Sequence, residues 1–253
     1  MEDPSPNGEP TAADSSIGRL HVLTDYHLQQ NHPHAELARR AIRGGADTIQ
    51  FRQKHGGIQN TLVEARKVAA VCTDASTPLI VDDQIDITQA VEADGVHLGQ
   101  NDFPVDAARS ILGPDTIIGA TATKTHQVVE AYEMGADYIG FGPVFPTTSK
   151  RNPKSVKGPE GLAEASDAVP IPVIAIGGVT HDRVRPALEA GAHGVAVLSA
   201  VATATNPKQA TARFRAVMAA TRPSGDGSAA TASTECPASD SAVPVVGPIA
   251  ATR

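Results

Sequence analysis

The stretch "MGADYIGF", Met134–Phe141, decides the fold because the chain repeats its plan. "GGADTIQF" (44–51), "EADGVHLG" (92–99) and "AGAHGVAV" (190–197) are built the same way. In each, an amphipathic stretch ends in a small-residue turn and a short apolar run follows. A glycine just past a helix is the usual left-handed cap. An apolar, β-rich run then reads as a strand buried in a parallel sheet. Each fragment is therefore a helix-to-strand turn, and the turns recur roughly every 40 to 60 residues.

Filling the intervals gives eight strands, at 20–25, 48–53, 78–83, 95–99, 117–121, 138–143, 172–178 and 194–200. Helical patterns lie between and after them, at 34–44, 58–73, 85–92, 104–112, 124–134, 158–168, 180–190 and 206–221. Eight alternating βα units predict a single closed (β/α)8 barrel of the TIM type. An open doubly wound sheet would need a glycine-rich turn after strand one, and "TDYHLQQN" has none.

The remainder of the chain fits one domain. It has 253 residues, 41% hydrophobic and 19% charged, with a formal charge of −7. No basic excess points to nucleic acid, and no apolar span points to a membrane. Two cysteines, Cys72 and Cys236, make no disulfide framework; Cys72 falls in an apolar helical pattern and reads as core. The opening "MEDPSPNGEPTAADSS" has neither a cationic start nor an apolar segment, and it is acidic, so it resembles no secretory or transit signal. The expected location is the cytoplasm. Residues 1–17 and 223–253 are rich in Ser, Ala, Gly and Pro and read as disordered tails, leaving 18–222 as the barrel. The sequence leaves a homo-oligomer open.

Chemistry in such a barrel sits at the C-terminal ends of the strands. Strand two ends "QFRQK", and alternation sends Gln50, Arg52 and Lys54 to the interior and the mouth, with Phe51 facing the helices. Two cations and an amide there are either a structural ion pair with a neighbouring Asp or an anion site. Strand three ends in Asp82 and Asp83, and strand four is followed by Asp102. Asp83 and Asp102 either cap the helices that follow or, beside a cationic diphosphate site, bind Mg²⁺, which prefers oxygen ligands and shares its shell with phosphates. Strand five offers Thr121. Strand six runs into "GPVFPTTSK", where Pro143 and Pro146 stiffen a loop carrying Thr147, Thr148, Ser149 and Lys150. Strands seven and eight end in Gly177, Gly178 and Ser199, the usual place for a phosphate held by backbone N–H groups. The pattern suggests two anion sites, one cationic and one built on glycines.

In this order "QFRQK", "DGVHLGQND", "GADYIGFGPVFPTTSK" and "VIAIGGV…GVAVLSA" resemble the thiamine-phosphate synthase family over residues 20–220. The resemblance implies an Mg²⁺-dependent enzyme joining hydroxymethylpyrimidine diphosphate to a thiazole phosphate, with release of pyrophosphate and, for a carboxythiazole, CO2. By the same resemblance, Gln50, Arg52 and Lys54 would hold the pyrimidine diphosphate, and Asp83 and Asp102 the metal. Thr121 would line the pyrimidine pocket and Lys150 would meet the pyrophosphate. Thr147 and Ser149 would bind the thiazole, with Gly178 and the Leu198–Ser199 backbone at its phosphate. Three positions depart from the family pattern: Asp82 stands where Asn is usual, Ser149 where Thr is usual, and Thr121 where Ser is usual.

The rival enzyme reading is a thiazole tautomerase, which needs a histidine after strand five, where this chain has Thr123 and Lys124, with His126 further on. The others are a sugar-phosphate isomerase or epimerase and a phosphate-sensing barrel without turnover.

Overall fold

The computed structural model describes residues 17–29, 31–147 and 155–221. Eight strands close into one parallel barrel in sequence order, with β8 hydrogen-bonded back to β1. They are β1 (Leu20–Asp25), β2 (Thr48–Arg52), β3 (Leu79–Asp82), β4 (Gly95–Leu98), β5 (Ile117–Ala122), β6 (Tyr138–Phe141), β7 (Val173–Ala175) and β8 (Gly194–Val197). The helices between them are α1 (His34–Arg43), α2 (Ile58–Asp74), α3 (Ile85–Ala90), α4 (Val105–Leu112), α5 (Thr125–Glu133), α6 (Gly158–Asp167) and α7 (His181–Glu189). Two more follow β8: α8 (Ser199–Ala202) and α9 (Pro207–Ala220), which packs on α1 and α7 and completes the outer ring. The reading as a (β/α)8 barrel therefore holds.

Two strand ends are corrected: strand seven, expected to reach residue 178, ends at Ala175. Strand eight was expected to run to residue 200, but the chain leaves the sheet after Val197 and Ser199 opens the short helix α8. Leu198, at φ −120° and ψ −84°, makes the bend. The apolar run "VAVLSA" hides that change, because a buried strand and a buried helical turn look alike over so few residues. The expected tails fall largely outside the described residues.

The repeated fragment that identified the fold has a structural cause for its aspartate. Asp47 Oδ2 accepts the backbone N–H of Leu20 at 2.9 Å and of Arg19 at 3.1 Å. Asp94 Oδ2 accepts from Leu79 N at 2.8 Å, and Asp137 Oδ2 from Ile118 N at 2.7 Å. Each carboxylate sits just before its own strand and holds the start of the preceding one. These are N–H groups at or beside the strand starts, and a charged acceptor satisfies them well. The fourth copy has His193 at that place, whose Nε2 meets Ile17 O at 3.0 Å. All of this lies at the N-terminal end of the barrel, away from the strand ends that carry chemistry.

Strand alternation sorts the side chains. Leu20, Val22, Ile49, Phe51, Val81, Val96, Leu98, Ile118 and Ile139 face the helices and are fully buried. Phe51 packs against His34 of α1, with ring centroids 4.8 Å apart. Cys72 is buried on α2, and burial together with nearby Asp94 pushes its thiol up to about 12, so it is an inert core residue. Inside the barrel, Tyr138 joins Ile17 and Ile174 in a separate apolar cluster. Its ring occupies space that neighbouring Gly119 leaves open, since a Cβ there would stand 2.5 Å from the Tyr138 hydroxyl oxygen. Gly140 does the same for His97, whose Cε1 would lie 2.9 Å from an added Cβ. Among the described residues, no helix is long and apolar enough to cross a membrane.

Candidate active site

At the C-terminal rim, β1, β2 and β3 deliver charges of alternating sign. Arg52 ends β2 and pairs with Asp25, the last residue of β1. Its Nε also lies 3.3 Å from Asp82 Oδ2 on β3. Lys54, two residues past the strand, reaches the same Asp82 oxygen at 3.4 Å and pairs with Asp83. Gln50 donates to Asp82 Oδ1 at 2.8 Å. The inner face of strand two is thus Gln50 and Arg52, and Lys54 joins them from the loop. The ion-pair reading of the cations matches these contacts, and the partners stand at the mouth, where an anion would arrive.

Asp82 and Asp83 would face opposite ways in an extended strand. They do not, because Asp83 takes φ +65°, a left-handed turn that Asp tolerates better than most residues. Its N–H donates to His97 O at 2.9 Å, and both carboxylates swing onto Lys54. Neither Asp83 nor Asp102 caps a helix: the N-caps of α3 and α4 are Gln84 and Pro104, and no side chain caps either helix. Asp102 Oδ2 instead accepts Gly99 N–H at 2.8 Å, closing the turn after β4 and standing exposed at the rim.

Thr121 sits on the inner face of β5. Its hydroxyl lies 2.8 Å from His97 Nε2, and its carbonyl accepts from Gln100 Nε2 at 2.7 Å. His97 Nδ1 lies 3.0 Å from the Tyr138 hydroxyl. Asp25, His97 and Tyr138 were not nominated from sequence. The signal was there: alternation from His21 puts Asp25 inside β1 at its last position, as it puts His97 inside β4.

The loop after β6 is strapped to the loop after β7. Val144 N–H donates to Ile176 O at 2.9 Å and Phe145 N–H to Gly177 O at 3.1 Å. Arg183 of α7 donates to Gly178 O at 2.7 Å and covers the Phe145 ring, 5.3 Å from its centroid. Gly177 and Gly178 have φ of +84° and +67°. A Cβ on Gly178 would stand 2.7 Å from Phe145 O, and one on Gly177 would stand 2.6 Å from Pro143 Cβ. The glycine pair is therefore required by the approach of the strand-six loop as well as by backbone conformation. The far side of that loop is anchored too, with Lys157 N–H on Pro143 O at 2.9 Å. Thr147 and, at the head of α8, Ser199 are half-buried on the same rim. Thr148, Ser149 and Lys150 lie outside the described residues.

The donor set at the rim suits a hard divalent cation. Asp25, Asp82 and Asp83 are carboxylates set against Arg52 and Lys54, and Asp102 stands exposed in the turn after β4. Among the described residues there is no cluster of three or more His, Cys, Asp or Glu placed to enclose a metal. One or two carboxylates, with the remaining ligands from phosphate and water, is how Mg²⁺ is commonly held. Of the two carboxylates expected to hold it, Asp83 is paired with Lys54 and Asp102 accepts from Gly99 N–H.

Charged strand ends on one side of the mouth, and a glycine-built loop pair on the other, define a barrel that handles phosphorylated small molecules. Residues 20–201 match the family model described as thiamine monophosphate synthase. The chain is 78% identical over 218 residues to a thiamine-phosphate synthase of Salinibacter ruber, covering 86% of this chain and 96% of that one. It is 43% identical over 192 residues to the enzyme of that name from Chlorobium luteolum, covering 76% of this chain and 90% of that one. A solved thiamine phosphate pyrophosphorylase from Pyrococcus furiosus superposes with a TM-score of 0.74 at 36% identity, covering 82% of this chain and 98% of that one. The chain belongs to the thiamine monophosphate synthase family.

Proposed function

We infer that this chain catalyses its family's condensation: hydroxymethylpyrimidine diphosphate and a thiazole phosphate combine to give thiamine phosphate and pyrophosphate, with loss of CO2 when the thiazole carries a carboxylate. The observation that carries the reading is the convergence of Arg52, Lys54, Asp82 and Asp83, from two adjacent strand ends, in one set of contacts at the rim, with Asp102 in the turn after β4. The bond broken joins the pyrimidine methylene carbon to the diphosphate oxygen; its electron pair leaves on the diphosphate. The thiazole nitrogen then supplies the pair for the new C–N bond. No side-chain nucleophile is needed.

The chain's own task is electrostatic. Arg52, Lys54 and Lys150 take the growing charge on the departing diphosphate. Gln50 steadies Asp82 and offers an amide beside the same oxygens. Asp83 and Asp102 would hold Mg²⁺, which when bound would add neutralisation of the leaving group. Thr121 lines the pyrimidine pocket. Thr147, Ser149, Gly177, Gly178 and the Leu198–Ser199 backbone seat the thiazole phosphate, so that attack is effectively intramolecular.

The tautomerase reading finds less support. His126 is exposed on α5, and Thr123 at the end of strand five has its hydroxyl on Gln127 Oε1 at 3.1 Å. The test is to mix the purified protein with both substrates and Mg²⁺ and to follow thiamine phosphate by chromatography. Isomerised thiazole with no condensation would favour the tautomerase, and bound diphosphate with no product a sensor.

A further inference from the structure

Three hydrogen-bonding groups on the inner face run in a line from the barrel floor to its mouth. The Tyr138 hydroxyl meets His97 Nδ1 at 3.0 Å, and His97 Nε2 meets Thr121 Oγ1 at 2.8 Å. Tyr138 is 1% exposed, and among the described residues its hydroxyl has His97 Nδ1 as its one hydrogen-bonding partner. Burial, with the nearby Asp82 and Asp137 charges, holds the phenol well above its ordinary range, so it keeps its proton. A buried O–H with a single partner donates to it; leaving the proton unmatched costs about 1–3 kcal/mol.

The direction of the chain follows. His97 Nδ1 accepts, so the neutral imidazole carries its proton on Nε2. Nε2–H donates to Thr121 Oγ1, which leaves the Thr121 proton available to another acceptor. The barrel is built around this arrangement: Gly119 clears the space for Tyr138, and Gly140 clears it for His97. His21 packs against Tyr138 with ring centroids 5.5 Å apart at a tilt of 53° and is itself neutral, its Nε2–H engaged by Gly18 O at 2.8 Å.

We propose that Tyr138 is a positioning residue: acting through His97, it fixes Thr121 as a hydrogen-bond donor, and the site thereby selects a heteroaromatic ring that presents an unprotonated ring nitrogen. The selectivity rests on the reading of Thr121 as part of the pyrimidine pocket. The tautomer does not.

The test has two arms. Long-range proton–nitrogen correlation spectra of the full-length protein, labelled with ¹⁵N-histidine and without substrate, are expected to show His97 protonated on Nε2. A proton on Nδ1 overturns the proposal, whatever reaction the protein performs. In the second arm, calorimetry compares the pyrimidine alcohol with its two analogues in which one ring nitrogen is replaced by C–H. The wild type is expected to lose about tenfold in affinity for one of the two, the worth of one buried hydrogen bond. In Tyr138→Phe that difference should shrink to about twofold. Equal binding of all three rings by the wild type overturns the selectivity. If none of the three binds, the pyrimidine reading falls and takes the selectivity with it, while the spectrum still decides the tautomer. A Tyr138→Phe variant that retains the full discrimination removes Tyr138 from the account.

Discussion

Asp82 uses both its oxygens: Oδ1 on Gln50, Oδ2 between Arg52 and Lys54. A diphosphate seated at this rim competes with that carboxylate for the same two cations. Asp82→Asn keeps the oxygen that faces Gln50 and removes the charge. We expect inorganic pyrophosphate to bind the variant about tenfold more tightly in the absence of Mg²⁺, read by calorimetry; unchanged affinity would mean the two cations do not meet the diphosphate. Arg52 carries a second consequence. Asp25 is 2% exposed; its Oδ1 accepts from His27 and Leu28 N–H, and Arg52 is the counter-charge on its Oδ2. Arg52→Ala strands a buried charge and should cost about 3–5 kcal/mol in urea unfolding. Adding Asp25→Asn should recover most of that stability while turnover stays lost, which separates the structural use of the arginine from its use at the diphosphate. The rim residues legible in sequence were those whose type was conspicuous at or just past a strand end, such as Arg52 and Lys54. Asp25 and His97 escaped notice because an Asp or a His inside an apolar strand looks ordinary until its cross-barrel neighbours are known. The turn at Asp83 escaped for a different reason: a left-handed φ at a non-glycine residue leaves no mark in the sequence.

Among the elements, the loops after β6 and β7 work as one piece. Phe145 and Val144 hydrogen-bond onto the strand-seven loop, and Arg183 reaches across both. Gly178→Ala would force a methyl group toward Phe145 O and strain a left-handed residue. The expected result is a raised KM for the thiazole phosphate with a smaller loss of pyrophosphate affinity, since Arg52 and Lys54 stand at or just past the end of strand two and, of the three cations, Lys150 alone follows the disturbed loop in the chain. Equal loss of both would mean that the two halves of the mouth are not separate. The repeated helix-to-strand turn was legible because its pattern recurs, and the eight strands followed from it. The purpose of its aspartate was not, since Asp47, Asp94 and Asp137 act on the N-terminus of a strand distant in sequence. Asp137→Ala should lower stability by about 1–3 kcal/mol through the unpaired Ile118 N–H, with kcat intact. The end of β8 was misread because nothing in "VLSA" distinguishes a strand from the helical turn at Ser199.

For the molecule as a whole, two buried imidazoles set the acid limit. Desolvation by burial holds His21 and His34 at about 4, below their ordinary value of 6.5. Above pH 6.5 both are neutral whether folded or not, so stability is full. Between about pH 6.5 and 4 the unfolded chain takes up protons that the folded chain refuses. Stability then falls by as much as about 1.4 kcal/mol per pH unit for each histidine, and levels off below pH 4. Urea unfolding at stepped pH should trace that slope, and replacing both histidines by glutamine should flatten it; an unaltered slope would place the sensitivity elsewhere. His21 belongs to the same interior group as Tyr138, and that group constrains how the barrel can vary. The ring of residue 138 fills room that residue 119 on the adjacent strand leaves empty. Neither position can be altered on its own: a library randomising strand five alone should return glycine at 119 in every folded clone, whereas one that trims residue 138 at the same time should recover alanine or serine there. Lineages of this barrel are then free to exchange bulk between the two strands only through a paired step.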